Sequence, residues 1–590
     1  MTARGVSKSA QRIAVWAAAA IPLAITPGLL FFYDVTPKIV LLYCATALTL
    51  PFINARRLVS TLSGKWFCAV LAAESISLLV STMFSVRRDL SIFGADWRRF
   101  GLITQLALLL FVVVLSADLG GGIERLRAYL RASTLAAGLI AIYAIAQYLG
   151  WDPWLDPKTY HVGAGVWSIV RPPGTLGYVT YLANYLLFGV FQALALYRIE
   201  STAARGRVAL VAAVLAAIAI VLSGTRAALL SLLVGFVLLW VVEKRRPSVR
   251  TLWTICGAAT LVLVICWSPL GLQLRNRMRW VREDLAGGAR LYLWRDSLKL
   301  VGRHWTAGTG PDTFSVEFAK VQSPDLSRAF PEFYHESAHN MFLDAATAQG
   351  LPGLLILVAA AVMGFRSRTS AGEHVPVLLG GLAAIVISHQ FSVFTVPTAL
   401  GFWITLAMLV QARPFKASEI CHSRMLWLAP LSAALILGAA RMTIADRHLA
   451  EMYAAVNASR FERAEAERMS AARSGLHADL WYSRKLLATS QTTSKLVDSI
   501  ARTERALAAG IGATITADDP YNAWMNLGLI YATLNNANRT EYCIREAVSA
   551  SPNWYKPHLA LARLLLATNR REEGKRELQI AKDLNPAAHF

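Results

Sequence analysis

Apolar runs of about twenty residues recur through the first three quarters of this 590-residue chain and constrain its fold more than any other feature. They fall at about 13–33, 38–54, 66–85, 101–117, 129–149, 176–197, 208–223, 225–242, 251–268, 338–365, 374–395, 397–412 and 425–441. At 1.5 Å per residue, a helix of that length crosses a hydrocarbon core of about 30 Å. Inside hydrocarbon every backbone N–H and C=O must be bonded within the segment, which such runs achieve only as helices. Charged residues make up 16% of the chain, where a soluble protein carries about 25%. A soluble enzyme and a disordered scaffold are both excluded, and the sequence predicts an all-α polytopic membrane protein of about 12–13 transmembrane helices. Ser223-Gly224-Thr225-Arg226 interrupts a stretch too long for one crossing and predicts two helices meeting at a tight turn.

Lys and Arg number 59 against 37 Asp and Glu, a net charge of +22. Most of the excess sits in short segments between runs, as in cytoplasmic loops, so it reads as a topology signal and an attraction to anionic membrane lipid, not as nucleic-acid binding. The alternation puts residues 151–175, 269–337, the turn at 223–226 and everything after 441 on the outer side. Arg87-Arg88 and Arg98-Arg99 break the rule there. Arg4, Lys8 and Arg12 precede the first run, which is read as a membrane helix and not as a cleaved signal. The six cysteines show no CxxC spacing, and neither a disulfide nor a zinc site is predicted.

Beyond 441 charge becomes frequent and the chain repeats. Trp524, Leu527, Gly528, Tyr531, Ala547 and Pro552 return 34 residues later as His558, Leu561, Ala562, Leu565, Ala581 and Pro586. That period and pattern are the tetratricopeptide signature, and predict a soluble C-terminal α-solenoid over 442–590 behind a membrane domain over 1–441. Stacked helix pairs make a concave face, so the tail is expected to receive a protein partner or the acceptor.

Four polar features are candidates for chemistry. In Arg171-Pro172-Pro173-Gly174-Thr175 the prolines and glycines fix a non-helical approach to the next helix, where N–H groups near Gly174 and Thr175, with Arg171, suit an anion. Arg226 sits at the outer end of a span, either as a snorkelling anchor or as a paired functional charge. In the outer loop, Arg275, Arg277, Arg279, Arg282, Arg290, Arg295, Lys299 and Arg303 face only Glu283, Asp284 and Asp296. Helical spacing there aligns Arg290 with Trp294, and guanidinium forks beside an aromatic face suit phosphate and sugar together. Finally, His335-Glu336-Ser337-Ala338-His339-Asn340 opens the next apolar run and offers a general-base histidine beside a polar cavity. It also matches the HExxH zinc pattern literally, with Glu336 as base between two ligands. For each feature the plain alternative is structural: a helix-start loop, an anchor, a solvated helix, a packed histidine.

Taken in order, these pieces resemble the O-antigen ligase and polymerase superfamily, polytopic glycosyltransferases acting on the outer face of the bacterial inner membrane. The matching residues are Pro173-Gly174-Thr175-x-Gly177 with Leu182-Ala183-x-Tyr185-Leu186; Ser223-x-Thr225-Arg226; Arg290-x3-Trp294; Gly308-Thr309-Gly310-Pro311-Asp312-x-Phe314; and Ala338-His339-Asn340-x2-Leu343 with Gly350-x-Pro352-Gly353. The resemblance runs from about 170 to 412, and the repeat tail departs from the simplest ligases.

The resemblance implies transfer of a glycan from undecaprenyl pyrophosphate to a sugar hydroxyl of the lipid A core, in the periplasm, with inversion and with neither metal nor cofactor. It makes His339 the general base or acceptor-positioning group, and gives the donor pyrophosphate to Arg226 and Arg290 with Arg171 helping. Around them Trp294, Arg295, His335, Glu336 and Asn340 are expected to contact substrate. Three readings stay open beside it: a polymerase joining lipid-linked repeats, a protein O-oligosaccharyltransferase and, from another class, a transporter with a docking tail. Against the transporter stands the placement of charges at helix ends and in outer loops instead of at midplane breaks.

Overall fold

The computed structural model describes residues 3–53, 58, 61–162, 169–243, 260, 264, 267–268, 288–367, 372–410, 426–492 and 496–588. Apart from the single positions between 260 and 268, the expected span at 251–268 and the basic residues Arg275 to Arg282 lie outside them.

The membrane part comprises α1 (Ala3–Ala20), α2 (Thr36–Thr49), α3 (Leu62–Met83), the short α4 (Arg88–Phe93), α5 (Leu102–Leu119), α6 (Ile123–Tyr148), α7 (Val179–Ile199), α8 (Ala203–Ser223), α9 (Arg226–Glu243), α10 (Arg290–Arg303), α11 (Phe314–Val321), α12 (Pro324–Ala329), α13 (Met341–Arg366), α14 (Val375–Ser388), α15 (Val396–Val410) and α16 (Ala429–Asn457). A two-stranded antiparallel hairpin pairs β1 (His161–Val162) with β2 (Ile169–Val170) between α6 and α7. Helices α3, α5, α6, α7, α8, α9, α13 and α16 are each long and apolar enough to cross a membrane, and α2, α14 and α15 are shorter apolar helices. The chain is a multi-pass helical membrane protein: among the described residues eight helices are long enough to span and three more are shorter apolar helices, while the expected run at 251–268 lies outside them apart from single positions. Pro22 and Pro51 turn the ends of two runs into single 3-10 turns, and α14 stops at Ser388, where the chain loops back into the candidate site.

Small residues let the helices approach closely. A Cβ on Gly235 of α9 or Gly380 of α14 would lie 2.6–2.7 Å from the other's carbonyl oxygen, the kind of contact that packs helices where hydrophobicity alone supplies no drive. Helix α7 is the central element, with 83% of its apolar window buried, whereas α9 has 17% buried and faces outward. The expected tight turn joins α8 and α9. Gly224 is left-handed at φ 62°, and the Ser223 hydroxyl accepts the Thr225 N–H at 3.2 Å.

Helix α13 is broken. Gly350 adopts φ 70° and ψ −164°, outside helical space, with Pro352 just beyond. The carbonyls left over are taken up by the Gly308–Pro311 segment: Thr309 N–H donates to Thr347 at 2.8 Å and Gly310 N–H to Ala348 at 3.0 Å. Beside the break Gln349 donates to the buried Glu74 carboxylate of α3 at 2.9 Å. A buried carboxylate thus lies beside a helix break, where the sequence placed charges only at helix ends and in outer loops, and the non-helical backbone persists because protein groups satisfy it.

Helix α16 runs unbroken through residue 441, so membrane part and tail share one helix. The tail continues as α17 (Phe461–Arg473), α18 (Asp479–Thr492), α19 (Leu496–Thr516), α20 (Pro520–Thr533), α21 (Ala537–Ala550), α22 (Tyr555–Ala567) and α23 (Arg571–Leu584), paired in succession from α16 with α17 to α22 with α23. Leu527, Leu561, Ala547 and Ala581, which repeat 34 residues apart, are all buried in these pairs. The tail folds back onto the loop face. Phe31 packs on Tyr453 and Trp481, the Asp446 carboxylate accepts Phe32 N–H, and Arg87 donates to the carbonyls of Ile515 and Ala517.

Candidate active site

Ala338, Asn340 and Met341, on either side of His339, are tied to α10, to α13 and to the segment after α14. Trp294 Nε1 donates to the Ala338 carbonyl at 3.1 Å, and Ala338 N–H donates to the Asp344 carboxylate at 2.9 Å. Asn340 caps α13 by accepting from Phe342 and Leu343 N–H, and its amide donates to Gln390 at 3.0 Å. Met341 N–H donates to the His389 carbonyl at 2.7 Å. The outcome is that His339 is held at φ 50°, a left-handed conformation that a side chain other than Gly, Asn or Asp rarely takes. Such strain persists only where the surroundings over-determine it, and it marks functional sites. Arg99 at φ 48° and Asp312 at φ 57° share the feature and lie close by.

The Ser337 hydroxyl accepts the His339 backbone N–H at 3.2 Å and lies 3.3 Å from His339 Nδ1. With the proton on Nδ1, Nε2 keeps its lone pair. Burial, then the charges of Arg290, His335 and Arg98, push the His339 pKa down to about 4, so the ring is neutral at pH 7. Arg290 and Trp294 lie one helical turn apart on α10, as the spacing predicts, and both rest on Phe391: Arg290 Cζ is 5.8 Å and the Trp294 ring 5.9 Å from its ring centre, with Arg290 Nη2 3.4 Å from its carbonyl oxygen. Arg226 opens α9 directly after the Ser223–Thr225 turn, nine residues before the Gly235 contact with α14.

The sequence reading missed Arg98, which it had treated only as a topology anomaly. Arg98 Nε and Nη2 both reach Asp312 Oδ1 at 2.6 Å, while Asp312 Oδ2 accepts Phe100 N–H at 2.8 Å and Ala95 N–H at 3.1 Å. This is the work of the Gly308–Phe314 motif: its aspartate holds an arginine from 214 residues away, whose charge acts on His339 together with that of Arg290. Arg98 also lines two cavities. One includes Asp34, Lys38, Leu176 and Tyr181; the other includes Glu74, Asp344, Gln349 and Trp403. Arg99 is buried over the Phe32 ring and donates to the Thr36 hydroxyl at 2.7 Å, so neither arginine is a free surface charge of the kind the positive-inside rule counts.

The remaining candidates spread out. Gly174 N–H donates to Gln147 at 2.8 Å, the Thr175 hydroxyl donates to Pro22 at 2.7 Å, and Lys38 donates to the Thr175 carbonyl at 2.7 Å. These groups shape the loop on one cavity's wall. At Gly177, with φ 79°, an added Cβ would strike the Asp34 carboxylate at 1.6 Å. Arg171 lies beside this loop, its guanidinium 5.7 Å from the Tyr178 ring centre. Arg295 points the other way, to Asp296, Ser323 and Asp325. His335 is buried edge-on against Phe318, with its ring nitrogen Nε2 enclosed in the small core around Leu293 and Phe314. Glu336 faces Asp518, Arg98 and Asp519; burial first, then the Asp518 charge, raise its pKa to about 7. Because residues 335–340 are not helical and α13 begins only at Met341, His335 and His339 share no helical face, and the HExxH zinc reading loses the geometry it needs.

Residues 211–358 match the family model described as O-Antigen ligase, which contains Arg226, Arg290, Trp294, His339 and the Asp312 motif and so supports the resemblance to the O-antigen ligase superfamily. No curated protein matches the chain.

Proposed function

We propose, from the premise that residues 211–358 form an O-antigen ligase domain and that the chemistry is glycosyl transfer of the ligase or polymerase type, that this chain moves a glycan from undecaprenyl pyrophosphate to a sugar hydroxyl of the lipid A core, on the periplasmic face of the inner membrane. The observation that carries the reading is a neutral histidine held in a left-handed backbone within the field of two guanidinium groups, Arg290 and Arg98. The acceptor oxygen attacks the anomeric carbon, its proton passes to His339 Nε2, and the bond to the donor pyrophosphate breaks with the electron pair leaving on the phosphate oxygen. Fixed guanidinium groups stabilise that developing charge without reorganising. The same groups tune the base. Once pyrophosphate offsets the charges of Arg290 and Arg98, the pKa of His339 rises towards the operating pH, where a general base works best. Arg226 is the further cation that the resemblance assigns to the donor pyrophosphate, and Asp312 positions Arg98.

A polymerase uses the same donor and differs only in acceptor, and the tail lying against the loop that leads to His339 favours it as the second reading, since it leaves an extended surface for a long glycan beside the site. Purified protein supplied with undecaprenyl-pyrophosphate oligosaccharide, with and without lipid A core, separates them. Product on the core supports the ligase, a ladder of lengthened donor supports the polymerase, and no glycosidic product with either contradicts both.

A further inference from the structure

The first helices of three successive tail pairs, α18, α20 and α22, line an open groove of about 1160 Å³ that the transfer reaction does not use. Its walls carry Arg484, Asn522, Met525, Asn526, Trp554 and Lys556, and no carboxylate is among the described residues lining it. Arg484 is exposed, 2.9 Å from the Asn522 amide oxygen, and Lys556 lies at the rim, 2.6 Å from Glu332 of the loop before His335. Aromatic rings lead from groove to site. Trp554 lies 5.2 Å from Tyr521, and Tyr521 lies 6.1 Å from Tyr334. Tyr334 precedes His339 by five residues, at most roughly 18 Å of extended chain.

We propose that this groove is a second saccharide site, which holds an anionic glycan, the distal part of the acceptor or product whose reacting end lies at His339. The chemistry favours a saccharide: cations for carboxylate or phosphate substituents, amides for hydroxyls, and the apolar faces of Trp554, Met525 and Leu529 for the C–H faces of sugar rings. Continuity favours it too, because the groove residue Lys556 pairs with Glu332, and Tyr521, which packs on the groove residue Trp554, packs on Tyr334; both partners belong to the loop that ends in the candidate base. The proposal rests on the transfer reading for the identity of its ligand, not for the existence of the groove.

The test uses the full chain in lipid nanodiscs and the fluorescence anisotropy of three labelled probes: a hyaluronan octasaccharide, which is acidic, maltooctaose, which is neutral, and a glutamate-rich peptide of the same charge. The octasaccharide is expected to bind, with affinity at least tenfold weaker in Arg484→Glu and in Leu529→Glu, both exposed substitutions, and within twofold of wild type in His339→Ala. No binding of the octasaccharide, or equal binding by the two groove variants, overturns the proposal. Equal or tighter binding of maltooctaose overturns the anionic class, and tighter binding of the peptide makes the groove a protein dock. Octasaccharide binding by a protein that forms no glycosidic product sinks the transfer reading and leaves the groove standing, whereas normal transfer without groove binding does the reverse.

Discussion

Arg98 and Asp312, 214 residues apart, form a buried ion pair in which two guanidinium nitrogens reach one carboxylate oxygen at 2.6 Å. The other oxygen accepts two backbone N–H groups of the turn that carries Arg98, so one aspartate fixes both the side chain and its main chain. Removing one partner of a buried pair leaves the other charge uncompensated, at a cost of about 3–5 kcal/mol. Asp312→Ala is therefore expected to lower the melting temperature and abolish transfer. Arg98→Lys is expected to fold, because the charge stays, yet to lose most activity, because a single ammonium cannot reproduce the fork. Thermal unfolding in detergent together with a transfer assay checks both, and full activity in Arg98→Lys contradicts the role given to Arg98.

The acid limb of kcat/KM reports the free protein's ionisations. With His339 at about 4, loss of activity through its protonation is expected well below the ordinary histidine value of 6.5. Glu336, at about 7, adds an ionisation in the neutral range. Glu336→Gln is expected to flatten the profile between pH 6 and 8 while leaving the limb near 4 in place. An unchanged neutral limb in that variant removes Glu336 from the field of the site.

Acidic side chains crowd the junction between tail and loops. Burial raises Asp96 and Glu336 to about 7 and Asp519 to about 6, and Asp518 is raised as well, among Arg87, Arg98, Arg99, His477 and Arg484. A carboxyl whose folded pKa exceeds its unfolded value of 3.8 or 4.5 stabilises the folded junction fully below that unfolded value, and the contribution is lost as pH rises through about 6 to 7. His477, raised by its hydrogen bond to Asp479, acts in the same direction. The protection factors of residues 95–100 and 515–521, that is, hydrogen exchange corrected for its intrinsic pH dependence, are accordingly expected to be larger at pH 5.5 than at pH 8, and the opposite order contradicts the assignment.

If the tail only recruited a partner, deleting residues 445–590 would cost less than losing His339 or Arg290. The contacts argue otherwise. Asn553 donates to Gln322, Arg328 to Asp583, and Ser315 to Asp518, while Tyr555 and Lys556 hold Glu332, so the tail braces the loop that presents His339. Deletion is expected to reduce transfer by at least tenfold even in protein that still inserts. Wild-type transfer by the truncated chain returns the tail to recruitment alone.

Chelation separates the two readings of His335 to Asn340. Excess EDTA is expected to leave transfer unchanged. A loss that zinc restores revives the HExxH reading against the non-helical backbone seen there.

The spans were legible because twenty apolar residues admit one solution in lipid, and the α8–α9 turn because Gly224 takes the left-handed φ that ends a helix cheaply. The pairing of Arg290 with Trp294 followed from the helical period alone. Arg98 was not legible: its meaning comes from Asp312, and a contact across 214 residues leaves no local pattern. The HExxH spacing misled for a related reason. His335 and His339 are four apart, as on one helical face, but the helix starts only at Met341, after both. The Gly350 break and the Gly308–Pro311 segment that satisfies it were visible only as two separate motifs, because the bonds between them are backbone bonds.

The central claim is that His339 takes the acceptor proton. Its most direct test is the initial rate of undecaprenyl pyrophosphate release from labelled donor in the presence of acceptor, for wild type and for His339→Ala shown to be folded by an unchanged melting temperature. General-base catalysis predicts a fall of roughly 10²–10⁴-fold with donor binding retained. A folded His339→Ala protein releasing product within tenfold of the wild-type rate contradicts the claim.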